Sequence, residues 1–240
     1  MKALSFDTSR PEIALALLQD GKILAERTIV PVEPSRQESV SKLMPGIDEI
    51  VAGCNWSAAD LDLLIVGTGP GSFTGIRIAV VTARVLAQSM GVGLVGVDAL
   101  RSYAQLLQKN EGALGKATAI VLSGGRGHFF AAVYEQASAS DGIKCTTVPS
   151  YLNTEQLGDL LSVSPRCFLE QKVLDELCLD RQKCGTLPSS INLAALQAEV
   201  IGDQLAGKAT DRESLKRRYH YREVEPLYLR GASVTIKSAS

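Results

Sequence analysis

The sequence predicts an α/β protein built from two halves on one plan. Three observations carry that reading. The chain opens with three short apolar patterns of strand length, at residues 3–6, 13–18 and 22–30. An apolar run at 61–66 then leads through a glycine-dense turn into a long apolar-patterned helix at 76–90. A strand at 117–122, a polar turn and a returning strand at 128–134 repeat the opening strand–turn–strand arrangement.

Each element has its own warrant. Residues 3–6 read as a buried strand, with Asp7-Thr8-Ser9-Arg10-Pro11 as the turn at its tip. Gln19-Asp20-Gly21 is a tight hairpin signal between the second and third strands. Val40, Leu43, Met44, Ile47, Ile50 and Val51 recur at the i, i+3, i+4, i+7 spacing of a helix. Pro45 falls inside this pattern and should cost a backbone hydrogen bond or kink the helix. Residues 94–97 read as a short buried strand, and Asp98 is placed to cap a helix over about 99–109. Residues 111–115 read as a loop at a subdomain junction. Residues 153–185 suggest short helices and strands. A helix is expected at 191–205, with Ser190 as its cap and Gly207 as its stop. The stretch Pro226-Leu227-Tyr228-Leu229-Arg230 precedes a polar tail expected to fray.

Composition narrows the function. With 240 residues, 45% of them hydrophobic, the chain can bury a large core as one domain or two small ones. A formal net charge of -1 argues against a broad basic surface that grips nucleic acid unaided. The five cysteines (54, 145, 167, 178 and 184) are odd in number and form no CxxC pair, so reduced thiols fit better than a disulfide framework or zinc knuckle. No run approaches the roughly 20 apolar residues of a membrane span, and the amino terminus reads as a strand rather than a leader. A cytoplasmic protein without membrane contact is expected.

Two segments point towards chemistry or binding. Gly67-Thr68-Gly69-Pro70-Gly71-Ser72-Phe73-Thr74-Gly75 places a glycine-rich turn between a strand and a helix start. Glycine permits positive φ and close backbone approach, and a helix start presents free N–H groups that suit an anion. The same turn can instead simply build the fold. It ends without the lysine of a Walker loop, and Pro70 offers no N–H. The helix at 76–90 is apolar nearly all round, whereas a monomer's surface helix should show a polar stripe. It is either wholly inside or covered by a partner.

Taken in order, Phe6-Asp7-Thr8-Ser9, Leu43-Met44-Pro45-Gly46-Ile47, Val66 through Gly75 with Ile76-Arg77, and Pro226-Leu227-Tyr228-Leu229-Arg230 resemble the TsaB (YeaZ) family. The string GPGSFTGIR is the specific part. The resemblance covers most of the chain and implies an actin-like, sugar-kinase-type (ASKHA) fold of two similar βββαβα subdomains. On that reading residues 1–104 with 189–240 form the first lobe and 105–188 the second. It also implies a non-catalytic partner of TsaD in moving a threonylcarbamoyl group onto N6 of adenosine 37 of tRNAs that read ANN codons. A TsaE-like ATPase would assist, tRNA would be met through the complex, and the isolated protein would form a homodimer. Two departures stand out. Ser123-Gly124-Gly125-Arg126 replaces an Asp-Ala-Arg-Arg-like turn and is similar to the Ser-Gly-Gly turn of TsaD-like chains, and Gln37-Glu38-Ser39 lies where many relatives carry a histidine.

The resemblance fixes which residues to follow. Asp7, Thr8 and Ser9, with Gly69, Gly71 and Ser72, are the candidate nucleotide-binding set, weighed against a plain hairpin turn. Val40, Leu43, Met44, Ile47 and Val51 on one helix, and Arg77, Ile78, Val81, Val85 and Leu86 on the next, are the candidate interface, weighed against ordinary core packing. No catalytic residue, metal or required cofactor is expected, although ATP or ADP has room at an interface with TsaD. An ATP-dependent phosphotransferase of the same fold is the alternative, with Asp7 as its key group. A metallopeptidase is disfavoured because His128 and His220 stand in different segments with no HxxxH or HExxH spacing. The run from Lys216 to Arg222 mixes cations with aromatics and reads either as an RNA contact or as a solvated helix end.

Overall fold

The computed structural model describes residues 1–31, 36–111, 117–138, 141–179, 184–208 and 210–229, with backbone alone at 36–40, 111, 137, 138 and 141. The expected junction loop, except for Glu111, and the expected frayed tail lie outside the described residues, as do the side chains of Gln37, Glu38, Ser39 and Val40.

Strands β1 (Lys2–Asp7), β2 (Ile13–Gln19) and β3 (Lys22–Ile29) form an antiparallel meander. β4 (Leu63–Gly67) and β5 (Gly93–Val97) join it in parallel, giving the order β3-β2-β1-β4-β5. Helix α1 (Arg36–Gly53) links β3 to β4, α2 (Phe73–Met90) links β4 to β5, and α3 (Ala99–Glu111) leads onwards. The second sheet repeats the scheme. β6 (Thr118–Ser123), β7 (His128–Ser138) and β8 (Asp141–Asn153) form its meander, and β9 (Arg166–Leu169) and β10 (Gly185–Thr186) are its parallel strands. Read from the meander edge, its order is β8-β7-β6-β9-β10, the same path as the first sheet. α4 (Thr154–Val163) and α5 (Gln171–Leu177) take the places of α1 and α2, and α6 (Leu193–Leu205) that of α3. α7 (Arg212–Arg218) packs on β5.

Strand alternation assigns each face of the first sheet. Leu4, Phe6, Leu15, Leu17, Leu64 and Val66 meet α1 and α2, whereas Ala3, Ala14, Ala16, Leu63 and Ile65 line the other face, packed by α6. Both faces are covered, so the strands read as continuous apolar runs. The small Ala14 and Ala16 face Ala194 and Ala195, which lets α6 lie close. Burying a Leu or Phe here is worth about 2–3 kcal/mol relative to exposure. The second sheet is built alike, with Ile120, Leu122, Phe130 and Ala132 towards α3 and Val121, Phe129, Ala131 and Leu169 towards α4 and α5. α3 and α6 touch each other and join the two sheets into one actin-like, sugar-kinase-type body.

Local signals were refined in three places. α6 starts at Leu193 with Asn192 rather than Ser190 as its cap. Asn192 accepts from Ala195 N at 2.9 Å and donates to Leu15 O and Arg27 O at 3.2 and 3.0 Å. An amide does both jobs, where a hydroxyl has one proton to give. α1 continues through Pro45, which sits on the exposed side of the helix. Its neighbour Gly46 lets α1 press onto Ile29 and Leu15, since a Cβ there would fall 2.6 Å from Ile29 Cδ1. The cationic run from Lys216 begins in the last turn of a short helix, α7, capped by Asp211, which accepts from Ser214 N at 2.9 Å.

Candidate functional site

A cleft of about 1040 Å³ opens between the two sheets. Its first wall comes from the β1–β2 turn and the start of α2, its second from the β6–β7 turn and the start of α5. All six candidate nucleotide-binding residues gather on or beneath the first wall.

Their polar atoms are engaged with one another. Asp7 is buried; its Oδ1 accepts from Ser9 N at 2.6 Å and its Oδ2 from Gln197 Nε2 at 2.7 Å. Thr8 Oγ1 donates to Gly75 O at 2.7 Å, and Ser72 N donates to Ser9 O at 2.7 Å. Ser72 caps α2 by accepting from Gly75 N at 3.2 Å. The donors at the start of α2 that an anion would use are thus partly taken within the chain. The glycines have a packing reason. A Cβ at Gly75 would lie 1.8 Å from Thr8 O, one at Gly71 2.4 Å from Ser9 O, and one at Gly67 1.7 Å from Asp7 Oδ2. Gly69 has φ +99, and its carbonyl accepts from Ala99 N at 2.7 Å. The glycine turn lets the β1–β2 turn sit on the helix start.

The candidate interface divides. Leu43, Ile47 and Val51 are buried against the first sheet, so in a single chain they are core residues and not surface. Met44 faces solvent. On α2, Ile76, Ala79, Val80, Ala83 and Ala87 turn inwards, whereas Val81 and Val85 are 54% and 61% exposed, with Arg77 exposed and Ile78 and Leu86 half-buried beside them. The helix is therefore neither wholly inside nor polar outside; it carries an open apolar strip.

Several important residues had no signal in the spacing. Arg10 reaches across the cleft, its Nη2 lying 2.7 Å from Glu170 Oε1. Glu170 Oε2 accepts from Ser123 N at 2.8 Å, so a carboxylate from β9–α5 stands where the sequence lacked an acid near Ser123. Burial works against the Arg10 charge, but the Tyr103 phenol beneath it and the Glu170, Glu12 and Asp7 carboxylates raise its pKa. Burial pushes the Tyr103 phenol up to about 12. Asp98 caps α3, accepting from Arg101 N at 2.8 Å, and burial raises its pKa above the usual carboxylate range. Gln197 lies on the buried side of α6, among Ala194, Ala195, Leu196 and Ala198. Tyr228 stacks on Phe73 at 4.6 Å, Arg77 lies 5.8 Å over the same ring, and Leu227 N donates to Thr68 O, so residues 226–229 close one side of the cleft. Arg230 lies outside the described residues.

The remaining candidates are scattered. His128 stacks on Tyr151 and His220 on Tyr221, on separate elements. Lys216, Arg217 and Arg218 lie exposed at the end of α7, while Tyr219 and Tyr221 pack inwards against the first-lobe core.

Comparison with known proteins agrees with this architecture. A family model described as TsaD, tRNA N6-adenosine threonylcarbamoyltransferase, matches residues 21–149, more than half of the chain. TsaB, the tRNA threonylcarbamoyladenosine biosynthesis protein of Escherichia coli (strain K12), is 32% identical over 113 residues, 47% of each protein. The Bacillus subtilis (strain 168) TsaB is 31% identical over 104 residues, 43% of this chain and 44% of that one. The chain thus spans about half the length of the curated relatives it matches. In structure, a Pseudomonas aeruginosa protein with similarity to peptidase YeaZ superposes with a TM-score of 0.69 at 19% identity, covering 95% of this chain and 99% of that one. A ROK-family protein from Streptococcus pneumoniae TIGR4 shares the fold with a TM-score of 0.50 at 10% identity, covering 86% and 99%. The duplicated sheets, the glycine turn and these matches lead to one assignment: the chain belongs to the family whose model is described as TsaD, and the curated relatives it resembles over about half their length are TsaB proteins.

Proposed function

We propose that this chain is the non-catalytic partner of a TsaD-like subunit in transfer of a threonylcarbamoyl group to N6 of adenosine 37 in tRNAs reading ANN codons. The observation that carries the proposal is the open apolar strip of Val81 and Val85, flanked by Ile78 and Leu86, on a chain whose Asp7–Ser9 turn is engaged internally. Water-exposed valines on a regular helix favour a partner of matching shape. The chemistry would occur on the TsaD-like subunit, since Asp7 is already held by Gln197 and by the Ser9 amide. A second copy would cover the same strip when the catalytic subunit is absent.

In this reading a TsaE-like ATPase joins the assembly, tRNA is met through the complex, and the chain itself requires no cofactor. A nucleotide, where one binds, sits at the interface with the TsaD-like subunit. The setting is the cytoplasm, where tRNA is modified; among the described residues no helix is long and apolar enough to cross a membrane. The test is reconstitution. Full-length protein is mixed with its cognate TsaD-like subunit, complex size is followed, and tRNA modification is assayed with and without it. Modification that proceeds equally well without this chain, or no complex at any ratio, would overturn the proposal.

A further inference from the structure

We propose that the Glu170 carboxylate is a built-in anion that latches the two lobes across the cleft floor, taking from within the chain the partners that a ligand's phosphate or carboxylate group would otherwise use. The inference concerns the chain's own cleft and stands apart from the pairing proposal.

The geometry is that of a bridge. Glu170 Oε1 lies 2.7 Å from Arg10 Nη2, on the turn after β1, and Oε2 accepts from Ser123 N at 2.8 Å, at the end of β6. One carboxylate therefore joins a cation of the first lobe to a backbone donor of the second, as a bound anion would. Its position is fixed, because Glu170 N donates to Val121 O at 3.1 Å and its carbonyl accepts from Val173 and Leu174 N. Glu170 is the N-cap of α5, yet its side chain makes no cap hydrogen bond to that helix and is directed across the cleft instead.

The same short helix supplies a second acid to the same turn. Glu176 Oε1 accepts from Gly127 N at 3.1 Å. Gly125, Arg126 and Gly127 all have positive φ, and no heavy atom lies within 4 Å of a Cβ built at Gly125 or Gly127. Beside the bridge, the buried Ser9 Oγ and Ser123 Oγ have no hydrogen-bond partner among the described residues, and both serines line the cleft. The floor thus holds a cation, an amide and two hydroxyls suited to an anion, with a chain carboxylate among them.

The latch makes lobe closure independent of ligand. The test uses the full chain with Glu170→Gln, which keeps shape and removes charge, with Arg10→Glu and Glu170→Arg each alone, and with those two combined as a swapped pair. Inorganic phosphate and ADP are titrated separately by calorimetry, and melting is followed with and without each. In the unaltered protein neither probe should bind at the cleft or raise Tm. Glu170→Gln should lower Tm by roughly 4–8 °C, as loss of a half-buried bridged pair would, and phosphate should restore part of the drop. ADP acting where phosphate does not would assign the freed site to a nucleotide rather than to the anion alone, against the proposal. The swapped pair should regain stability over either single change, which a merely space-filling role would not produce. Phosphate binding equal in the unaltered protein and Glu170→Gln, or an unchanged Tm with no rescue by the swap, would overturn the latch. Pairing with the TsaD-like subunit is read separately, so either proposal can fail alone.

Discussion

Helices α2 and α5 hold the same place in two sheets of the same topology, yet they do opposite things. α2 has 18 residues, begins by docking onto the turn of its own lobe, and turns two mid-helix valines outwards. α5 has 7 residues, exposes no large apolar side chain, and sends acids to the turn of its lobe and to Arg10 of the other. A duplicated scaffold thus diverged at one topological position, into an outward surface on one side and an inward tie on the other. The cause is local. Gly67, Gly71 and Gly75 allow the first lobe's turn to sit on its helix, whereas in the second lobe the helix start stays apart from the turn and a side chain spans the gap.

The contrast can be broken most forcefully at Gly75. Gly75→Ala places a methyl 1.8 Å from the Thr8 carbonyl, a backbone atom with little room to yield, so unfolding free energy should fall by about 3 kcal/mol or more. Urea denaturation checks this as a lower midpoint at unchanged slope. If stability is retained, the glycine turn is not the close joint described above.

The outward face is addressed by Val81→Glu with Val85→Glu. Because both side chains are exposed, stability should stay within about 0.5 kcal/mol, while association with the TsaD-like subunit should weaken by about 2–3 kcal/mol, roughly 30- to 150-fold. Analytical ultracentrifugation with a parallel melt separates the two effects. An undiminished complex would return this strip to ordinary surface.

Gln197→Leu sharpens the account of the first lobe. It leaves Asp7 Oδ2 without its 2.7 Å donor in a buried site and should cost about 2 kcal/mol by thermal or chemical denaturation. The smallest change is expected on α4. Gly158 is exposed, and a Cβ there meets nothing within 4 Å, so Gly158→Ala should stabilise by roughly 0.5–1 kcal/mol. A loss instead would show that α4 is under a constraint that the first lobe's glycines alone were thought to carry.

Much of the fold was legible. The strand-length apolar runs, the Asp20-Gly21 hairpin and the helical spacing of the apolar residues of α1 all act over a few residues, so they survive in the linear order. Capping was legible where a single candidate existed, as at Asp98, and misplaced where Ser190 and Asn192 competed. The stretch from 153 to 185 resisted reading because its helices are short and take their stability from packing on β6, β7 and β8. Of the candidate site, the glycine turn and Asp7–Ser9 stood out, but the motif did not say whether its donors face a ligand or each other. Arg10 and Glu170 were silent, since they are 160 residues apart and no periodicity relates them.

By itself the sequence determined the class of fold, the duplicated plan and the place of the glycine turn, which depend on backbone preference and on the period of apolar residues, while the family rested on the GPGSFTGIR string. Tertiary structure alone decided which side of each helix met the core and which carboxylate reached which cation. Burial and ion pairing depend on distance through space, and only folding brings Glu170 to Arg10, Gln197 to Asp7 and Val81 to the surface.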